Sequence, residues 1–219
     1  VTNMSGLFVM AYAFNQDISG WETGNVTDMS WMFASSSVNS DISSWNTSKV
    51  TNMYAMFNDS SINSDVSGWE TSNVTNMSEM FSSISPTFNP DLSDWDVSKV
   101  TNFSRMFAQS PSLNIDLSQW ETSSAIDMNS MFNGALSFNS DISGWNVSNV
   151  KYMSYMFNNA KAFNQDISGW KTGNVEDMSG MFLDTTAFDQ NLSEWDVAKV
   201  TNYSDFWSGK TEGYKPLFV

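Results

Sequence analysis

Tryptophan recurs at a fixed interval along this chain, at Trp21, Trp45, Trp69, Trp95, Trp120, Trp145, Trp170 and Trp195, with gaps of 24, 24, 26, 25, 25, 25 and 25 residues. Such a period implies a tandem array, because a unit this small cannot bury its apolar face alone and must stack on its neighbours. The surrounding residues keep the same phase. Valine follows at Val26, Val50, Val74, Val100, Val150, Val175 and Val200, with Ala125 as the exception. Methionine comes next at Met29, Met53, Met77, Met128, Met153 and Met178, with Phe103 and Tyr203 in its place twice. A Met-Phe pair closes each unit, from Met32-Phe33 to Met181-Phe182, and the last copy reads Phe206-Trp207. The array covers residues 1–207, with a partial first repeat over 1–8 and a closing half-repeat over 201–207; residues 208–219 form a C-terminal tail or cap. The phase of the first residues implies an array that continued upstream, or a boundary set by how the chain was cut.

Two spacings coexist within a unit. Val26, Met29, Met32 and Phe33 share one face of a short α- or 3₁₀-helix, with Asn25 or Thr27 able to cap it. Ile18, Trp21 and Thr23 follow the leucine-rich spacing, with Trp21 and Thr23 inward on a short strand. The expected fold is therefore α/β: a right-handed, leucine-rich-repeat-like solenoid with one short parallel strand and one short α or 3₁₀ segment per repeat.

Composition narrows function. The chain has no cysteine and no histidine, which removes disulfides, thiolate zinc sites, the thiol nucleophile and the commonest acid–base group. A formal net charge of −15 repels nucleic-acid phosphates and anionic membranes. No apolar run is long enough to span a bilayer, so direct membrane insertion is not expected. No secretory leader opens the chain. The acids recur in every repeat, whereas an active site breaks symmetry, so no enzyme is expected.

The run Phe163-Asn164-Gln165-Asp166-Ile167-Ser168-Gly169-Trp170-Lys171-Thr172-Gly173-Asn174-Val175, followed by Asp177-Met178-Ser179-Gly180-Met181-Phe182, resembles the BspA-like leucine-rich-repeat surface-protein family. The resemblance extends from Val1 to about Trp207 and is broken at Ala125-Ile126 and in the last copy. It implies a bacterial cell-surface location, an adhesin-like role and no catalytic residues.

Three columns carry candidate chemistry. Asp17, Asp41, Asp65, Asp91, Asp116, Asp141 and Asp166 recur beside a column of asparagines that begins at Asn15. Each side chain accepts backbone amides of its own turn, or the aspartates hold Ca²⁺ between repeats, the one cofactor the pattern admits. Exposed residues flank each Trp, with Glu22, Glu70, Asp96, Glu121 and Lys171 among them; they form an acidic concave face or a merely solvated one. Two threonine columns are too interrupted to favour ice binding over strand propensity and capping. The repeat breaks locally at Ala125-Ile126 and at Lys151, Tyr152, Tyr155 and Lys171, where a partner would be sought. The expected function is an extracellular, surface-tethered binding or adhesion module for a protein or glycan on another surface. Its competitor is a structural spacer or stalk.

Overall fold

The computed structural model describes residues 1–14, 16–207 and 212–218. Asn15 and, of the expected tail, residues 208–211 and 219 lie outside the described residues.

The period is realised as a stack of coils. Equivalent residues one repeat apart form parallel bridges, running Asn3, Asp28, Asn52, Asn76, Asn102, Asp127, Tyr152, Asp177 and Asn202 in succession. Thr51 N–H donates to the Thr27 carbonyl of the coil before (2.9 Å), and Met53 N–H donates to the Asn76 carbonyl of the coil after (3.0 Å).

The α/β expectation is overturned. The bridges are isolated, so the described residues contain no strand and no sheet, and their only helix is the 3₁₀ turn Glu212–Tyr214. The bridge falls at the Asn/Asp position after Val-Thr, not at Ile18–Thr23 where the strand was expected. The segment expected to be helical is instead a ribbon of overlapping turns. Met32 N–H donates to the Met29 carbonyl (3.2 Å), Ala34 to Trp31 (3.0 Å) and Ser36 to Phe33 (3.2 Å). The intervening amides leave the coil: Met29, Trp31, Phe33 and Ser35 donate to the Asn52, Tyr54, Met56 and Asn58 carbonyls at 2.8–3.0 Å. Trp31 (φ 59°) and Ser35 (φ 50°) take the left-handed conformation that lets successive turns join without winding into a helix. The physical reason is that an isolated helix of two turns is marginal, and it would spend every amide on itself. The ribbon places the same apolar residues inward and also hydrogen-bonds the coils to one another.

The core is continuous along the stack. Phe8, Phe33, Phe57, Phe81, Phe107, Phe132, Phe157 and Phe182 stack ring on ring at 5.5–5.9 Å. Val26, Met29, Met32 and their equivalents are almost all buried. Trp45 and the later column tryptophans are 3–4% exposed. Each of these indoles also donates Nε1–H to the preceding coil, as Trp45 to the Ile18 carbonyl (3.1 Å) and Trp120 to Leu92 (2.9 Å). The ends differ: Trp21 in the first coil is 36% exposed, whereas at the other end Phe218 stacks on Tyr203 at 4.5 Å and Leu192 N–H donates to the Tyr214 carbonyl (2.7 Å).

Candidate functional site

The polar columns must first satisfy the backbone, because a coil made of turns leaves many amides without a ladder partner. Asx-primed turns at up to three places in a coil do this, the middle one only where the residue after Trp is Asn46, Asp96, Asn146 or Asp196. Asp17 Oδ1 accepts Ser19 N–H (2.9 Å) ahead of the turn that joins Ile18 to Trp21. Asn46 Oδ1 accepts Ser48 N–H (3.0 Å) ahead of the turn from Thr47 to Val50. Asp28 Oδ1 accepts Ser30 N–H (2.8 Å) ahead of the turn from Met29 to Met32. The signal lies in the sequence as Asx-apolar-Ser repeated within one unit, for example Asp91-Leu92-Ser93, Asp96-Val97-Ser98 and Asn102-Phe103-Ser104. Sequence reasoning identified only the first of the three.

All seven aspartates of the proposed metal column act this way, each Oδ1 taking the amide of the serine two residues on at 2.9–3.0 Å. In Asp17, Asp41, Asp65, Asp116 and Asp141 that amide is the leading cause of a pKa below the ordinary carboxylate value; in Asp91 and Asp166 the serine hydroxyl leads. Among the described residues no three acidic side chains converge as a metal cage requires. One exposed carboxylate per coil, already holding an amide, does not fit a cation that takes 6–8 oxygens. The neighbouring asparagines behave differently from the expectation. They bond between coils rather than within their own turn, as Asn39 Oδ1 accepting Asn63 N–H (2.9 Å) and Asn139 Oδ1 accepting Asn164 N–H (2.9 Å).

The acidic column divides in two. Asp96 Oδ1 accepts Ser98 N–H (3.0 Å), and the Ser98 hydroxyl and amide hold its carboxyl below the usual range. Glu121 Oε1 accepts Ser123 N–H (3.0 Å). Glu22 and Glu70 are exposed beside the same turns. Lys171 lines a shallow cleft with Trp170, Asn174, Glu194 and Asp196, apart from Tyr152 and Tyr155. The structure thus separates the expected Tyr–Lys cluster into two places.

Tyr152 and Tyr155 lie on the turn ribbon, 38% and 40% exposed, with Ile126 at 41% in the coil before. Tyr152 occupies a bridge position where its neighbours have Asx, and so cannot prime its own turn. Asn129 of the preceding coil substitutes: its Oδ1 accepts both Ser154 N–H (2.9 Å) and Ser154 Oγ–H (2.7 Å). Tyr155 takes φ 55°, and its ring overlies Gly180 of the next coil so closely that a Cβ there would lie 2.4 Å from it. Lys151 pairs with Glu176 at 3.4 Å. Opposite Tyr152 across the bridge, Asp127 is half-buried, and that burial raises its carboxyl pKa.

Stacked, in-register coils define the class: a tandem-repeat protein. The family described as "Mycoplasma protein of unknown function, DUF285" matches at residues 1–86, 35–141 and 113–216, and the chain belongs to it. No curated protein and no solved structure matches the chain.

Proposed function

We propose that the chain is a binding or adhesion module displayed outside the cell on a bacterial surface, recognising a protein or glycan on another surface. The observation that carries this reading is where the coils differ from one another. Their interior columns and turn-priming bonds are nearly the same from coil to coil, while Ile126, Lys151 and Tyr152 depart from the Thr-Asx pattern of the other coils, beside the exposed Tyr155. A stack that served only as a spacer or stalk would need solubility there and nothing more. The resemblance to BspA-like surface proteins supports the same location and role. The acidic column of Glu22, Glu70, Asp96 and Glu121 supplies a field that favours basic or neutral partners over nucleic acid. The recurrence of its carboxylates in coil after coil, without histidine or cysteine, argues for recognition rather than catalysis.

The test is a screen of the purified chain against immobilised host proteins and glycans, repeated with Glu70→Gln, Asp96→Asn and Glu121→Gln combined. Binding that the triple variant loses supports the acidic face as the contact. Binding that survives removes that face from the reading, and no binding to any surface leaves the spacer.

A further inference from the structure

We propose that Trp31, Tyr54 and Arg105 form a side-chain patch that binds a neutral sugar. This rests on the binding-module reading above and assigns it a ligand class and a place on the ribbon, away from the acidic column.

The outward positions of the ribbon are mostly small. The other members of the Tyr54 column are seven serines and Asn129. In the next column, left-handed in every coil, Trp31 shares its place with Gly6, Ala55, Ser130 and Gly180. Large side chains gather on consecutive coils at Trp31, Tyr54, Glu79 and Arg105, and they touch. The Trp31 and Tyr54 rings meet edge to face, with centroids 5.0 Å apart and planes at 79°. Glu79 pairs with Arg105 at 3.6 Å and accepts Asn58 Nδ2–H at 3.5 Å. Burial and then the Glu79 charge push the Tyr54 hydroxyl pKa up, with Arg105 opposing, so that hydroxyl lies within reach of both charges. Ala55, between Trp31 and Glu79 in their column, is fully buried, as it must be where its neighbours close over it. Trp31 is nevertheless 38% exposed and the Arg105 side chain 62%, so this packing leaves both open to a partner.

The chemistry of the patch selects the ligand. Its backbone amides are spent: Trp31, Ala55, Glu79 and Arg105 N–H each donate to the next coil at 2.8–2.9 Å. An extended peptide therefore cannot add here as a strand, and recognition runs through side chains. Both Glu79 oxygens are engaged, so the patch holds no free carboxylate for a cation. Glu79 also neutralises Arg105, and the net charge of −15 repels anionic sugars. The guanidinium of Arg105, the one arginine in the chain, and the Tyr54 hydroxyl make no hydrogen bond among the described residues. What remains is an exposed indole beside free donors. That combination suits an uncharged ring with C–H surface and a rim of hydroxyl acceptors.

The experiment uses the whole chain against an array of neutral glucose, galactose, mannose and N-acetylglucosamine oligomers, with sialylated and sulfated oligomers alongside, followed by titration of any oligomer bound. Trp31→Gly, Tyr54→Ser and Arg105→Ser each return a position to what other coils carry, so the variants should fold, and a thermal melt checks this. The expected result is binding to a neutral oligomer that each variant weakens by roughly tenfold, while Trp31→Tyr keeps most of it. Neutral-oligomer binding unchanged in the Trp31→Gly/Arg105→Ser double variant overturns the patch, as does equal or stronger binding of the anionic oligomers. If Trp31→Gly melts early, Arg105→Ser alone decides by the same criteria. If only the Glu70/Asp96/Glu121 variant loses a partner, the patch falls and the acidic-face reading stands. If the chain binds no oligomer but does bind a protein, the patch falls alone; if it binds nothing, both readings fall.

Discussion

The coils bridged at Asn52, Asn76 and Asn102 and those bridged at Asp127 and Tyr152 share one core and differ on one exposed ribbon. In the first group the ribbon turn is primed from within: Asn76 Oδ1 takes Ser78 N–H at 3.0 Å and Asn102 Oδ1 takes Ser104 N–H at 2.9 Å. In the second, Tyr152 gives up that role and Asn129 assumes it across the coil boundary. Beneath both, Phe81 on Phe107 and Phe132 on Phe157 stack at 5.9 and 5.7 Å. The difference teaches that this fold constrains bonds rather than residues. An amide must find an acceptor, and the acceptor can come from the next coil when the local one is replaced.

The largest expected effect tests the shared core. Trp69→Ala and Trp120→Ala should each destabilise by about 3–5 kcal/mol, since each removes a buried indole and its Nε1 bond. Urea melts that gave the irregular coil a much smaller loss than the regular one would show that its core is looser. A second substitution acts only in the irregular group. Asn129→Ala should cost about 1–2 kcal/mol, because Ser154 N–H then lacks an acceptor. In a Tyr152→Asn background the same change should cost almost nothing, because residue 152 then primes its own turn. A double-mutant cycle with no coupling would break the compensation argument.

Next in size is Gly180→Ala. The left-handed backbone (φ 58°) and the Tyr155 ring together should make it cost about 1 kcal/mol or more, whereas Gly169→Ala, with nothing within 4 Å, should stay within about 0.5 kcal/mol. Placing Gly180→Ala in a Tyr155→Gly background isolates the backbone share.

The smallest effects are in pH. Asp116 has a folded pKa lowered from 3.8 by the Ser118 amide. Its stabilisation is therefore complete above about pH 5 and is lost as pH falls below the model-compound value toward the folded one. Asp127 has the opposite sign: its pKa is raised by burial, so its favourable contribution is complete at acid pH and is lost as pH rises through the folded value. Asp127→Asn keeps an acceptor for Asn129 N–H and should raise the melting temperature near neutrality, the gain fading in acid. Asp116→Asn should instead gain relative to the parent only below about pH 4. Melts between pH 3 and 7 that moved both variants the same way would refute the contrast.

Much of this was readable in advance. The tryptophan period requires stacking, and the inward set of Val26, Met29, Met32 and Phe33 is buried as their spacing predicts. That spacing could not distinguish a helix from a ribbon of turns, since both return residues three and four apart to one face. The Asx bond does not decide it either, because an Asx that accepts the amide two residues on, as Asp28 accepts Ser30 N–H, caps a helix equally well; what excludes the helix is the left-handed backbone at Trp31 and Ser35. The cross-coil roles of Asn129 and of the Trp45 indole depend on which coil lies above which, and no local spacing encodes that register. Tyr152 and Tyr155 were legible as a break in the repeat. That Lys171 belongs to a different cleft was not.

The ribbon's hydrogen bonds have a direction. Peptide groups such as Asp28–Met29 accept from the coil before, Met4 N–H to Asp28 O at 2.9 Å, and donate to the coil after, Met29 N–H to Asn52 O at 3.0 Å. Four such groups per coil point the same way, and coil after coil they add head to tail as peptide dipoles do along an α-helix axis. The stack is therefore electrically polar. Its negative pole lies at the carbonyls of Asn3, Ser5, Leu7 and Val9, and its positive pole at the amides of Tyr203 and Asp205. A lysine added on the first coil and an aspartate added on the last should both find favourable potential, and the reverse pair should not. Two such molecules meeting end to end would attract in one orientation and repel in the other.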